Sequence, residues 1–549
     1  MKAIQAAPKS ISDIFQDSYI IPEFQRPYSW EEDECSKLIE DVTGAFLSDQ
    51  NNSYYLGSIV LYPQDEKTTD VWNVVDGQQR LTTVTLLIKA LYEKARTAKT
   101  LERCLRQENK LTRELKDETK INTRVLDNDK TNLENIVLRN ITTGNDRFSK
   151  NYNYIAKKVD EFIIDKNADA LNDFILWFLQ KVTLLPIECD SLDDALVIFN
   201  TVNNRGMPLG DADIFKAYMF KSIATNEDAK KELIKRWDNL NGDNGDDNIS
   251  DLFRCLMHIK RAEAGETSRE VALRKFFESK GQKSTFENWR ETLETFEKIN
   301  SVGENFHSSE LKNLWEILDF GPNDYVLYPI IVFWYKYADK TEENDSVEWR
   351  LSEEKESELR DLIMATIKYF YANAIAYHSV NAVKDTTYKV YGAIYKGEDY
   401  LSIYRNGYEK IFEIFKNNIR SYEYGKWRWS LTSLLAILNN EQDQEELCSL
   451  KTWEVEHILP QKGGYNNYNG WTEEQYSEKL NSLGNFVLLE KELNIRASNE
   501  FFQKKKKEYQ KSSIAEARNL ASLKDWTYNE WKKRNKEKED ELLNFFKEI

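Results

Sequence analysis

Trp453-Glu454-Val455-Glu456-His457-Ile458-Leu459-Pro460-Gln461 alternates apolar and charged side chains and then meets a proline. Period-two alternation reads as a half-buried strand, and a proline, which has no N–H, marks its end. Leu483-Gly484-Asn485-Phe486-Val487-Leu488-Leu489 reads as a second short strand, and Leu493-Asn494-Ile495-Arg496-Ala497-Ser498-Asn499 enters a helix. A strand–strand–helix unit is therefore expected near the end of the chain. Histidine is scarce, with only His258, His307, His378 and His457. The first three fall in helical contexts without neighbouring ligand residues and read as ordinary structural or surface groups. His457 closes a strand beside a glutamate.

This order of Glu-His, Asn and Asn resembles the ββα-metal HNH nuclease motif. It is most similar to the last domain of GmrSD-like, modification-dependent (Type IV) restriction proteins, which reads E-H-I-x-P-Q, then L-G-N-x-x-L-L, then an asparagine turn and a helix with F-x-x-K. Here the final piece is Phe502-Gln503-Lys504-Lys505. The resemblance implies two strands and a helix around one divalent metal. A neutral imidazole can take a proton from water near neutral pH, which makes His457 the candidate general base. A hard cation needs oxygen ligands, so Glu456 and Asn494 are the expected metal ligands, for Mg²⁺ or Mn²⁺ rather than zinc. Asn485, as the middle residue of such motifs, is expected to hold the loop that orients His457. Lys504, Lys505, Lys506 and Lys507 would read alone as a solvated helical face. Beside a nuclease motif they are candidate phosphate contacts that position DNA without reading its sequence.

The start of the chain carries a second constellation. Gln25-Arg26-Pro27-Tyr28-Ser29-Trp30 precedes a helix near Glu31, and Val74-Val75-Asp76-Gly77-Gln78-Gln79-Arg80-Leu81-Thr82-Thr83 runs from a strand through a tight turn into a helix. Gly77 permits close approach to the backbone, and a helix N-terminus presents N–H groups to an anion. Arg80 adds a fork for phosphate oxygens, and Gln78, Gln79 and Thr82 add uncharged hydrogen-bonding groups. Read alone, Asp-Gly is a common turn and Arg80 could simply pair with a carboxylate. Both segments resemble the N-terminal domain of the same GmrSD-like proteins, a relative of the ParB and sulfiredoxin fold that binds and hydrolyses nucleoside triphosphates. By that resemblance Gln25, Arg26 and Tyr28 join Asp76, Gly77, Gln78, Gln79, Arg80 and Thr82 around an NTP (GTP or ATP). Asp76 and Arg80 are then catalytic for hydrolysis, with Asp76 as metal or water anchor. Asn203 and Arg205, in Asn203-Asn204-Arg205-Gly206, close over the phosphates, and Asp213 caps the helix that carries Lys216.

Composition sets the frame. Of 549 residues, 93 are acidic and 76 basic, a net charge of −17, which excludes a broadly polybasic nucleic-acid coat but not a local basic groove. Only 20 Gly and 9 Pro disfavour a turn-rich all-β chain and favour helices. Cys35, Cys104, Cys189, Cys255 and Cys448 are far apart, so neither a zinc knuckle nor a disulfide framework is expected. No P-loop motif occurs, and the polar run 239–250 fails the EF-hand pattern because its sixth residue is Asn244 and its twelfth Ser250.

Tyr54–Tyr62, Trp72–Val75 and Val182–Cys189 read as strands and Leu81–Ala95 as a helix, with 96–180 and 251–420 helical. The expected fold is α+β and mostly helical: a ParB/sulfiredoxin-like NTPase domain at 1–238, a helical middle at 239–421 and a ββα-metal HNH domain at 422–549. The resemblance covers roughly 1–225 and 422–549. It implies a metal-dependent DNA endonuclease that restricts foreign phage DNA carrying modified bases or backbone. The scattered cysteines are expected to be reduced cytoplasmic thiols, and two sites on one chain lead to the expectation that nucleotide state gates the nuclease. Its partners would be DNA and an NTP, with no membrane and a homo-oligomer left open. The alternatives are a toxin nuclease acting on RNA or unmodified DNA, and a non-catalytic nucleotide-binding adaptor. Trp30, Tyr54 and Tyr55 could stack on a base or belong to the core.

Overall fold

The computed structural model describes residues 5–65, 70–109, 111–163, 168–202, 210–223, 226–241, 246–321, 323–343, 346–420, 428–440, 450–461 and 468–549. The chain forms two compact units that part between Asn226 and Glu227.

The first unit is built on a mixed seven-stranded sheet. Its strands are β1 (Gln5–Ala6), β2 (Lys9–Ser10), β3 (Ser18–Ile21), β4 (Tyr54–Pro63), β5 (Val71–Asp76), β8 (Ile121–Thr123) and β9 (Val182–Glu188); β6 (Arg106–Glu108) and β7 (Leu115–Thr119) form a separate antiparallel pair. The order is β1-β9-β4-β5-β3-β8, with β2 also on β9. The β4–β9, β3–β5 and β3–β8 pairs are parallel, whereas β4 and β5 run antiparallel. β5 ends at Asp76, Gly77 turns the chain, and the helix Gln78–Lys94 begins at once. This helix is buried from Leu81 through Leu91 on all sides, so its polar residues must find partners within the protein. Thr85 donates to the Leu81 carbonyl, and Lys89 reaches Glu93 at 2.6 Å. The stretch 96–180 departs from the helical expectation, because β6, β7 and β8 lie within it. These strands are short, and β7, Leu115-Lys116-Asp117-Glu118-Thr119, is charged and carries no apolar alternation.

The second unit is mostly helical. The polar run 239–250 is not one open linker: the helix Glu227–Asn241 covers its start and the helix Asp246–Glu263 its end. Among the described residues, one antiparallel strand pair, β10 (Asp339–Glu343) with β11 (Ser346–Arg350), interrupts the helices expected over 251–420. Near the C-terminus β12 (Trp453–His457) pairs antiparallel with β13 (Phe486–Glu490), in the register His457↔Phe486, Glu456↔Val487 and Trp453↔Glu490. The helix Lys491–Ala497 packs on both strands, completing a β–β–α unit as the alternation predicted. The helices Phe502–Tyr509, Ala515–Leu520 and Tyr528–Phe545 follow. The molecule is α+β and mostly helical. Among the described residues, no helix is long and apolar enough to cross a membrane.

Candidate functional site

Strand geometry decides what the Glu-His pair can do. Successive side chains point to opposite faces, so Glu456 and His457 cannot share one. His457 lies with Phe486, its cross-strand neighbour, at 4.7 Å between ring centroids. The imidazole is 6% exposed, and its Nε2 edge meets the exposed amides of Asn481 (3.2 Å) and Gln461 (3.0 Å). Glu456 points the other way, where the Lys505 ammonium lies 2.7 Å from its carboxylate and Tyr509 donates to it at 3.1 Å.

Asn485 ties down the segment that follows His457. It is fully buried, and its side-chain oxygen accepts from the Leu459 N–H (3.0 Å) and from the Trp526 indole (3.2 Å). Its amide donates to the Leu480 carbonyl, and its own carbonyl accepts from Ile458. Both residues after His457 are thereby tied to Asn485. Gly484 is the partner of this arrangement: a Cβ there would lie 2.6 Å from the Asn535 Cβ and 2.8 Å from its Cα. The C-terminal helix sits against that glycine, accepting its N–H through Asn535 (2.8 Å) and donating to its carbonyl from Arg534.

Two expectations need correction. The expected metal pair is not assembled: Asn494 donates to Glu454 (2.7 Å), while Glu456 is occupied by Lys505 and Tyr509. A divalent cation does not fit beside an ammonium on a buried carboxylate, and one held there would face away from the imidazole. Among the described residues no group of three or more His, Cys, Asp or Glu could hold a metal. The lysine run is also not a uniform basic face. Lys505, 1% exposed, is buried in the stripe Phe502–Lys505–Tyr509, and Lys506 donates to the Leu523 carbonyl. Lys504 and Lys507 point outward, with Lys504 paired to Glu500. Burial pushes the Glu456 carboxyl up against the pull of Lys505, and it pushes the Lys505 ammonium down against the pull of Glu456.

The N-terminal motifs lock into each other. Gln25 is buried and donates to the Val75 carbonyl at 3.0 Å. Gln78 donates to the Arg26 carbonyl, and Gln79 donates to Pro27 while accepting from the N–H groups of Ser29 and Trp30. Tyr28 shares a hydrogen bond with Thr83 (2.8 Å) and accepts from Asn151 (3.1 Å); burial raises its phenol well above the ordinary value. Thr82 is buried in the wall of a pocket that Ile21, Tyr28, Gln78, Gln79 and Thr123 also line. Most of the amides expected around a nucleotide therefore hold the loop against the helix.

The charged residues are placed differently. Gly77 has φ +90°, and a Cβ there would lie 2.5 Å from Ile59, so the turn that opens the helix accepts only glycine. Arg80 lies over Gly57 and donates to the Ser58 carbonyl at 2.7 Å. Asp76 stands at the end of β5, its carboxyl raised by burial and pulled back by Arg80. Arg26 binds Asp213 through Nε (3.0 Å) and one terminal nitrogen (2.6 Å), and Asp213 also accepts from the Gly210 N–H at the start of the helix Asp211–Ile223. Asp213 thus caps that helix as expected. Asn203 and Arg205 lie outside the described residues.

Residues 11–220 match the family model for the GmrSD restriction endonuclease, N-terminal domain, and residues 408–538 that for the GmrSD restriction endonucleases, C-terminal domain. Together the two matches span more than half of the chain. The chain belongs to the GmrSD restriction endonuclease family. No curated protein matches it. Seen within a restriction endonuclease family, several residues that motif reading passed over stand beside the motif positions. Gln461 is the last residue of the motif itself, whereas Asn481 and Asn535 carry no sequence signal before the strands are paired. Lys505 does carry one, since the spacing Phe502, Lys505, Tyr509 puts it on the buried stripe of a helix. Glu454 could also have been found, since it shares its strand face with Glu456.

Proposed function

We propose that the chain is a DNA endonuclease of the HNH type, regulated by a nucleoside triphosphate and directed at foreign DNA with modified bases or backbone. The observation that carries this reading is the way His457 is held. Its ring is anchored on Phe486, the residues that follow it are gripped by Asn485, and its Nε2 edge faces the surface. When water displaces the Asn481 and Gln461 amides, Nε2 accepts its proton while the water oxygen bonds to phosphorus. The P–O bond to the leaving oxygen then breaks, and that oxygen takes a proton from solvent. Mg²⁺ or Mn²⁺ belongs to the proposal as assay cofactor only: Glu456 and Asn494 do not fit it as arranged, and no step is assigned to it.

At the other site, the N-terminus of the helix Gln78–Lys94 supplies backbone N–H groups and a positive dipole end for phosphates. Arg26 and Arg80 supply the cationic forks, and Asp76 the anchor for a water. Gln25, Tyr28, Gln78, Gln79 and Thr82 support the site by holding its loop. Nucleotide state then controls cleavage by the second unit.

The test is a panel of phage genomes, unmodified, base-modified and phosphorothioate, incubated in Mg²⁺ with GTP, ATP or neither. Cleavage confined to one modified class and dependent on one nucleotide supports the proposal. Equal cleavage of unmodified plasmid, or of RNA, replaces it with the toxin reading; binding without any cleavage replaces it with the adaptor reading.

A further inference from the structure

Two cations, Lys505 buried and Arg534 largely so, flank the end of the β12–β13 pair at which the chain leaves β12 and enters β13, and each makes the same pair of contacts. Lys505 pairs with the buried Glu456 carboxylate and donates to the His457 carbonyl at 2.5 Å. Arg534 pairs with the buried Glu516 carboxylate and donates to the Gly484 carbonyl, one residue before Asn485. The two carbonyls belong to the facing ends of the two strands, where His457 stands opposite Phe486. Neither cation is placed for a phosphate in solvent. Lys505 is 1% and Arg534 13% exposed, although both belong to the most basic part of the chain.

We propose that Lys505 and Arg534 are positioning residues of the nuclease site, the first fixing the backbone of His457 and the second the turn that carries Asn485. This rests on the reading of His457 as general base. An ammonium bound to both a carboxylate and a carbonyl fixes three groups at once, because charge-assisted hydrogen bonds are short and directional. Glu456 neutralises Lys505, and Glu516 is shared between Arg534 and Lys538, so that neither bond to a carbonyl is made by a cation without a carboxylate partner. The helix Phe502–Tyr509 and the C-terminal helix therefore reach the site through the main chain, without touching substrate.

The test uses the full chain with Lys505→Met, Lys505→Arg, the double variant Lys505→Met/Glu456→Gln and Arg534→Met. Single-turnover cleavage, DNA affinity against salt, and thermal melting are measured for each. The double variant guards against simple unfolding, since replacing both members of a buried pair is far milder than removing one. The expected result is a double variant that melts near wild type yet cleaves roughly 100-fold more slowly, with DNA affinity within about 2-fold. Lys505→Arg, which keeps a donor at the carbonyl, recovers part of the rate. Arg534→Met slows cleavage in the same way without weakening DNA binding.

A double variant that cleaves at the wild-type rate overturns the proposal. So does a loss of affinity with a salt slope lowered by about 1, which would make Lys505 a phosphate contact. With four histidines in the chain, the His457 ring resonance can be assigned by its loss in His457→Ala. If wild type cleaves nothing, the base reading fails, whereas an unmoved His457 resonance in the double variant overturns the positioning role separately.

Discussion

The two motif clusters of this chain are held together by different shares of neutral and charged contacts. In the N-terminal unit neutral amides do the holding: Gln25, Gln78 and Gln79 bond to backbone groups of the neighbouring segment. One ion pair, Arg26 with Asp213, joins them, and Asp76 and Arg80 stand on either side of Gly77. In the C-terminal unit the amides of Asn485 and Asn535 are joined by buried ion pairs, Lys505 with Glu456 and Arg534 and Lys538 with Glu516. There the amides of Gln461 and Asn481 stand at the surface beside the imidazole. A neutral clasp contributes about 1 kcal/mol per bond, whereas breaking a buried ion pair costs about 3–5 kcal/mol. The C-terminal cluster should therefore tolerate substitution of its supports much less well.

Glu516→Ala is the strongest challenge to that contrast. It strands Arg534 and Lys538 in the interior and is expected to cost about 3–5 kcal/mol in urea unfolding. The same carboxyl predicts a pH dependence. Burial pushes it up, but Lys538 and Arg534 together hold it at about 2, below the ordinary 4.5. A depressed folded value gives stability that is present above pH 4.5 and is lost as pH falls toward 2, on the order of 3 kcal/mol. Glu516→Gln should flatten that acid limb in melting curves.

Gly77→Ala comes next, at about 2–4 kcal/mol, from the left-handed backbone together with the overlap on Ile59. Because the turn opens the helix, this variant should also lose nucleotide binding in a filter assay. Gln79→Ala removes a clasp to Pro27, Ser29 and Trp30 and is expected to cost only about 1 kcal/mol in the same unfolding experiment. If it cost as much as Glu516→Ala, the contrast between the two clusters would be wrong. The smallest effect is expected at Lys504 and Lys507, which point outward: alanine there should change stability by less than about 0.5 kcal/mol.

How much of this was legible depended on range. The β12–β13 pair, the turn at Gly77 and the helix after it were readable because alternation, glycine and proline act within a few residues. The strands Arg106–Glu108, Leu115–Thr119, Asp339–Glu343 and Ser346–Arg350 were not, because they are short and rich in charged residues. Asn485 was singled out by its motif, whereas its contacts with Ile458 and Leu459 show only in the fold. The role of Glu456 was misread, since its partner Lys505 lies 49 positions away and only the fold shows which charges meet. Strand alternation alone held a warning, for a glutamate and a histidine adjacent on a strand face opposite ways.

The most direct test of the account compares wild type, His457→Ala and Arg80→Ala on a susceptible phage genome, in Mg²⁺, with cleavage and NTP hydrolysis read in the same tube. The account predicts that His457→Ala hydrolyses the nucleotide normally and leaves the DNA intact, while Arg80→Ala loses hydrolysis and with it the control of cleavage. DNA cut by His457→Ala at the wild-type rate would contradict it.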